Sequence, residues 1–146
     1  MSARSKITDK IVTLLKEIRG DAPYKSNLFT NVEGKLLFWD EVNDYPHVAV
    51  VPGSESREYL PASFKWGYLS ISLKVYIKSD QSPLNELEEI LEDIETVVDA
   101  NIHFVYDEDT QDEIADMRIS SITTDEGLLA PYGVAEVDLI IQYQVK

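Results

Sequence analysis

The residues of this sequence that could do chemistry are two histidines and a large number of carboxylates. His47 and His103 are widely separated, and neither belongs to a metal-binding or catalytic motif. A lone histidine outside such a motif usually has a structural role. The sequence has no GxxxxGK[ST], HExxH, GxSxG or paired CxxC pattern and contains no cysteine. Nothing in it therefore predicts a phosphate-binding loop, a zinc site or an activated nucleophile.

The stretch DEDTQDEIAD carries oxygen-bearing side chains at its first, third and fifth positions, as a calcium-binding loop does. Asp107, Asp109 and Gln111 match the first oxygen donors of such a loop. The match ends there, because Asp112 replaces the glycine that the turn requires and Arg118 replaces the bidentate glutamate. A calcium site is therefore not expected, although the oxygen donors leave cation binding open.

A second set of carboxylates lies on residues 83–100, which have the pattern of an amphipathic helix. A catalytic pair of carboxylates needs a pocket that sets their pKa values apart, and a solvated helical face offers none. We therefore predict that the chain is not an enzyme and has no cofactor. The N-terminal residues lack the apolar core of a signal peptide, and the longest apolar runs are too short to span a bilayer, which predicts a protein of a cytoplasm-like compartment.

The negative charge of the chain is concentrated in one segment. The net charge is −14, and fourteen of the 27 acids lie within residues 79–117, which contain no lysine or arginine. The other acids are balanced by the 13 basic residues. No basic stripe is present to bind nucleic acid. The acidic segment is either a solvated face that keeps the protein soluble or a surface that repels a polyanion.

Four segments each have a single apolar face. Helical spacing predicts a helix over residues 5–19, with Ser5 as its cap, and a second over 83–100, with Ser82 as its cap. Strict alternation predicts two long strands, 68–78 and 134–145. Because all four faces need a common core, we predict a single α+β domain over residues 1–146. Both helices should pack on one face of a mainly antiparallel or mixed sheet, with the two long strands as neighbours.

Two shorter apolar runs, KLLFWDE and HVAVVPG, also have the composition of strands and are expected to pair with each other. The connection that follows, GSESREYLPASFKWG, carries Tyr59, Phe64 and Trp66, with Tyr68 just beyond it. If these rings tuck under the domain, they form a satellite of the core. If they stay outside, they form a contact surface for another protein.

The order of elements and several quoted stretches resemble the tail terminator, or tail completion, proteins of long-tailed bacteriophages, the group that includes the minor tail protein U type. The resemblance covers nearly the whole chain. The stretches that carry it are ITDKIVTLLKEIRGDAPY, HVAVVPG, GYLSISLKVYIKSDQSPLNELEEILEDIETVV and GVAEVDLIIQYQV.

The resemblance implies a small α+β domain that assembles as a homo-oligomeric ring, usually a hexamer, at the head-proximal end of the tail tube. Such a ring stops polymerisation of the tail tube protein and offers a surface to the head or to a head-tail connector protein. It is assembled in the host cytoplasm, becomes part of the virion, lets DNA pass without specific binding, and needs neither catalysis nor a cofactor. A negative bore would suit that passage, because a basic bore would hold the phosphates.

No site residue is carried over from the family, so both candidate surfaces are chosen from this sequence. The candidate bore-lining acids are Asp107, Asp109, Asp112 and Asp116, with the acids of the predicted second helix as the alternative. The candidate subunit interface comprises Tyr59, Phe64, Trp66 and Tyr68. Two alternatives remain: a different head-tail connector or tail tube subunit, and a monomeric cellular domain whose sheet binds a small ligand.

Overall fold

The structure, a computed structural model, describes residues 1–37 and 39–146; Phe38 and the side chain of Trp39 lie outside the description. The described residues form two helices, a single 3₁₀ turn at Trp39–Glu41 and seven strands. The helices are α1 (Ala3–Leu15) and α2 (Pro83–Ala100). The strands are β1 (Val32–Glu33), β2 (His47–Leu60), β3 (Phe64–Lys78), β4 (Val105–Asp107), β5 (Asp112–Glu113), β6 (Asp116–Thr124) and β7 (Tyr132–Val145).

Five of the strands form one mixed sheet in the order β1-β2-β3-β7-β6. The pairs β2/β3, β3/β7 and β7/β6 are antiparallel, and only the short β1 is parallel to its neighbour. The strands β4 and β5 form a separate hairpin. The two long strands that alternation predicts are neighbours, with Lys74 opposite Glu136 and in contact with it. The predicted α+β fold is therefore confirmed.

One face of this sheet is covered by both helices. Alternate residues of β3 and β7 are buried there, and the polar residues between them lie on the opposite face, which we call the outer face. Helices and strands contribute to a single buried cluster. It includes Ile7, Ile11, Leu15, Leu69, Ile71, Leu73, Val75, Leu87, Ile94, Val137, Leu139 and Ile141. Burial of this much apolar surface is the main stabilising contribution to the fold.

The helix ends differ in detail from the sequence prediction. The cap of α1 is Ser2, whose hydroxyl accepts the N–H of Ser5 at 3.1 Å, so Ser5 is not the cap. The helix ends at Leu15, and tighter turns then carry the chain as far as the buried Ile18. Residues 83–100 are helical as predicted, but the Ser82 side chain makes no capping bond.

The predicted pairing of KLLFWDE with HVAVVPG is wrong. HVAVVPG lies in β2, which pairs with β3 and, at its start, with β1. Residues 35–37 are not part of a strand, residues 39–41 are the 3₁₀ turn, and Phe38 lies outside the described residues. Leu36 and Leu37 lie at the outer face, where Tyr76 donates a hydrogen bond to the Leu37 carbonyl at 2.9 Å. Because β1 occupies the start of the β2 edge, residues 36–37 lie at the outer face instead of extending the sheet.

No helix among the described residues is long and apolar enough to cross a membrane.

Candidate assembly surfaces

The aromatic connection is a β-hairpin, not a loop. The strand β2 runs to Leu60 and β3 begins at Phe64, so most of residues 53–67 are paired strand. We call these residues the arm. The supporting strand β7 reaches only as far as Val145, which lies opposite Lys65. The tip of the arm therefore extends beyond the strand that supports its root.

The turn of the arm has an unusual backbone. Ala62 and Ser63 have φ angles of 66° and 63°, in the left-handed region that side chains with a Cβ disfavour by about 1–2 kcal/mol per residue. Left-handed residues in a tight turn match the right-handed twist of the strands they join. The pairing of Leu60 with Phe64 holds the turn in this conformation.

The arm places large apolar side chains in solvent. Tyr59 is 69% exposed and Leu60 is 40% exposed. Phe64 and Trp66 are half-buried against each other, with ring centroids 5.0 Å apart in an edge-to-face arrangement. Phe64, Trp66 and Tyr68 share the outer face, whereas Tyr59 points to the other side of the hairpin. The structure therefore brings three of the four candidate interface residues together, outside the buried cluster.

The root of the arm is anchored to the core by a small polar network. The buried Tyr143 donates its hydroxyl to the Glu55 carboxylate, which also accepts the Arg57 Nε–H at 2.7 Å. Burial and the neighbouring carboxylate raise the pKa of Tyr143 to about 12. A Cβ on Gly67 would lie 2.9 Å from the Tyr143 ring and 2.9 Å from the Val145 side chain. A glycine inside a strand signals this kind of close approach.

The stretch that resembles a calcium loop folds as the β4–β5 hairpin. The Asp107 carboxylate accepts the N–H groups of Asp109 and Thr110, as an aspartate does in a turn. The spacing of the acids in this stretch is therefore that of a turn. The Lys6 ammonium lies 2.6 Å from Asp107 and lowers the pKa of that carboxyl. Within residues 1–37 and 39–146, no group of three or more histidine and acidic side chains is placed to hold a metal ion.

The four candidate bore acids differ in their surroundings. Asp112 is paired with Lys146 at 2.6 Å, which lowers the pKa of the Asp112 carboxyl. Asp107 is likewise neutralised by Lys6. Asp109 is exposed, and Asp116 is half-buried at the start of β6. The lysines of both ion pairs lie outside the acidic segment in the sequence. The pairs could therefore not be predicted from the residues next to the acids.

One acid of α2 points inward. Asp93 is 2% exposed and accepts the N–H of Lys25 at 3.0 Å, the N–H of Ser26 at 2.7 Å and the Ser26 hydroxyl. These bonds hold the segment after α1 against α2. The carboxylates of residues 83–100 are predicted to lie on a solvated face, and Asp93 is an exception. Its spacing, three residues after Ile90 and four before Val97, marks the inner face instead.

A second apolar surface lies on the outer face at the far end of β3. It is a cavity of about 530 Å³, which we call the recess, and its described lining includes Leu36, Leu37, Tyr45, Tyr76, Leu129 and Tyr132. It is open to solvent, and two of its apolar lining residues are half exposed, Leu36 at 50% and Leu129 at 52%. Leu36 and Leu37 belong to the run KLLFWDE, but no pattern in the sequence marks these six residues as one surface.

His47 lies beside the recess residue Tyr76, and the centroids of the two rings are 6.3 Å apart. It is buried, and burial lowers the pKa of its imidazole. Neither ring nitrogen has a hydrogen-bond partner among the described residues. His103, by contrast, is exposed. The two histidines are thus in different environments and do not form one site.

Comparison with known proteins identifies the family of this chain. The sequence matches the family model described as Bacteriophage Tail Tube Terminator Protein over residues 1–146. It is similar to the tail tube terminator protein p142 of Escherichia phage T5, with 35% identity over 153 aligned positions that cover 99% of this chain and 95% of that protein. A chain of the virion of a native gene transfer agent particle shares the fold, with a TM-score of 0.61, 10% identity and coverage of 90% of this chain and 92% of that chain. The chain therefore belongs to the bacteriophage tail tube terminator proteins, a family of structural virion proteins.

Proposed function

We propose that six copies of this chain close into a ring that caps the head-proximal end of the tail tube. The ring ends polymerisation of the tail tube protein and offers its other end to a head-tail connector protein. The observation that carries this proposal is the family match over residues 1–146, which we take to be one tail-terminator domain. The protein would assemble in the host cytoplasm, remain in the virion, and act without catalysis or a cofactor.

The arm supplies the first candidate contact between subunits. Its outer face carries Phe64, Trp66 and Tyr68, with Tyr59 on the reverse side, and large rings that leave water on assembly stabilise an interface strongly. Replacing Phe64 and Trp66 by serine should weaken ring formation while the monomer stays folded, because neither side chain belongs to the buried cluster. Unfolding of the double variant would instead show that these rings stabilise the monomer.

The acids of the β4–β5 hairpin and the start of β6 are proposed to face the bore. Asp107, Asp109, Asp112 and Asp116 would then present oxygen atoms to passing DNA, and their negative charge would prevent its retention. Reversing Asp107 or Asp112 would also break an ion pair, so the sharper variant is Asp109→Lys, with the exposed Glu95→Lys on α2 as a matched control. Rings of the Asp109→Lys variant should bind DNA more tightly than control rings, and equal affinity would remove the bore assignment.

The charge of the ring makes its assembly sensitive to salt. Six copies of a chain with net charge −14 carry about −84, and repulsion on that scale opposes closure at low ionic strength. Free protein should therefore be monomeric in dilute, low-salt solution and close into rings as salt screens the acids or as the tube end brings copies together. Sedimentation across a salt series, with electron microscopy of the products, tests this. Rings that weaken steadily with added salt would contradict it.

A further inference from the structure

The arm and the recess are two apolar surfaces at opposite ends of one strand. Phe64 begins β3 beside the tip of the arm, and Tyr76, near the end of the same strand, lines the recess. At about 3.3 Å per residue, twelve residues of strand separate them by about 40 Å. Because β3 is paired along its length with β2 and β7, one chain cannot bring the two surfaces together.

The two surfaces match in chemical character and in shape. Both lie on the outer face of the sheet. The arm is a protrusion with Leu60 and Phe64 at its tip, whereas the recess is a concave site with an apolar lining that includes Leu129. Its volume of about 530 Å³ falls in the range of cavities that bury ligands of several hundred cubic ångströms.

The charges beside the two surfaces are also complementary. Glu58 is exposed on the outer face of the arm and has no ion-pair partner among the described residues. Lys78 lies beside the recess, where its ammonium is 5.5 Å from the centroid of the Tyr132 ring, and the described part of the chain gives it no carboxylate partner. The arm thus carries an anion, Glu58, and the recess has a cation, Lys78, at its side. The two surfaces have opposite charges and lie on different parts of the same molecule.

We propose that the tip of the arm of one copy docks in the recess of the next copy, with Leu60 and Phe64 against Leu129 and Tyr132. Glu58 then faces Lys78. The contact joins unlike surfaces, so an open chain of copies keeps a free arm at one end and a free recess at the other until it closes as a ring. This inference rests on the proposed function, because it takes the occupant of the recess to be a second copy.

The proposal also fixes a dimension of the ring. When each arm tip occupies the next recess, the spacing between neighbouring recesses equals the separation of arm and recess within one chain, about 40 Å. In a flat ring of six copies, the recesses then lie about 40 Å from the axis, since neighbouring points of a hexagon are one radius apart.

Mixing two variants tests whether the contact joins unlike surfaces. The arm variant carries Leu60→Asp and Phe64→Ser, and the recess variant carries Leu129→Asp; all three changes lie in half-buried or exposed positions outside the buried cluster. Each variant alone should fail to form rings while keeping its circular dichroism spectrum. A one-to-one mixture should form dimers and stop there, because the arm variant retains an intact recess and the recess variant an intact arm. A mixture that stays monomeric, or either variant alone forming rings, would overturn the inference.

Cysteine cross-linking separates this inference from the ring itself, since the chain contains no cysteine. Oxidised mixtures of Leu60→Cys and Leu129→Cys protein should yield disulfide-linked dimers, and a mixture of Leu60→Cys with Thr123→Cys on β6 should not. Rings without the 60–129 link would overturn the docking and leave the ring proposal intact, as expected if the tube protein or an apolar ligand occupies the recess. Linked copies that never close would support the docking and refute the ring. Absence of both would refute both.

Discussion

Replacing Asp93 by alanine should destabilise the fold more than any other single change among the acids of α2. The carboxylate accepts two backbone N–H groups and the Ser26 hydroxyl while almost fully buried. A hydrogen bond to a charged group contributes roughly 1.5–3 kcal/mol, and alanine leaves the buried donors without an acceptor. We therefore expect the free energy of unfolding to fall by about 3–5 kcal/mol, a large part of the roughly 5–15 kcal/mol of a typical domain.

The neighbouring Glu92 provides the matched control for Asp93. It lies on the same helix and pairs with the Lys25 ammonium at 2.8 Å, but both side chains are more than half exposed, so Glu92→Ala should cost less than about 1 kcal/mol. Asp93→Asn, which keeps one acceptor oxygen, should fall between the two alanine variants. Urea denaturation followed by circular dichroism measures all three. If Asp93→Ala and Glu92→Ala lose the same stability, the carboxylate does not hold the segment after α1 and the reasoning is refuted.

Three further predictions concern buried groups near the two apolar surfaces. Because burial lowers the pKa of His47, the unfolded chain binds a proton more readily than the folded chain, and stability should fall as the pH drops below about 6.5. The His47→Phe variant should lose less stability between pH 7.5 and pH 5, as measured by urea titration. The same pH dependence in the variant and the wild-type protein would contradict this prediction. Tyr143→Phe removes a hydrogen-bond donor from Glu55 and should lower the free energy of unfolding by about 1–2 kcal/mol at pH 7. Because the pKa of Tyr143 is raised, wild-type protein should lose stability above about pH 10, and the variant should lack this loss. Equal urea midpoints for the variant and the wild-type protein would argue against both effects. Gly67→Ala should cost about 1–3 kcal/mol in the same assay, because its Cβ crowds Tyr143 and Val145, and a neutral change would mean that both side chains move aside freely.

The central strands and the second helix could be predicted because their burial follows one simple period. Alternation along β3 and β7 identifies the buried face, and the match of Lys74 with Glu136 indicates that the two strands are neighbours. The spacing of apolar residues in α2 gives both of its ends, with Pro83 at the first position. In these elements the local preference of the sequence for a strand or a helix agrees with the way the element packs in the fold.

The arm could not be predicted because its turn lacks the usual sequence signals. Pro61, Ala62 and Ser63 form the turn without a glycine or asparagine, although two of them adopt left-handed backbone angles. The connection therefore has the composition of a loop, and its pairing becomes evident only when the strands on either side are aligned. The aromatic content indicated a contact surface, but not its shape.

The ion pairs and the recess depend on contacts between distant parts of the chain. Lys6 and Asp107 are 101 residues apart, and Lys146 and Asp112 are 34 apart. The recess joins the segment around Leu36 to the turn around Leu129 across the outer face of the sheet. No local period encodes such contacts, so the acidic hairpin appeared in sequence as a set of unpaired charges.

The central claim is that this chain ends the growth of the tail tube, and tube length measures it most directly. Purified protein added to polymerising tail tube protein of the same phage should shorten the tubes in proportion to its concentration, with a ring visible at one end of each tube by electron microscopy. The arm variant Leu60→Asp with Phe64→Ser serves as a folded control and should leave tube length unchanged. Tubes that reach the same length with and without the wild-type protein, and whose ends carry no added ring, would contradict the account.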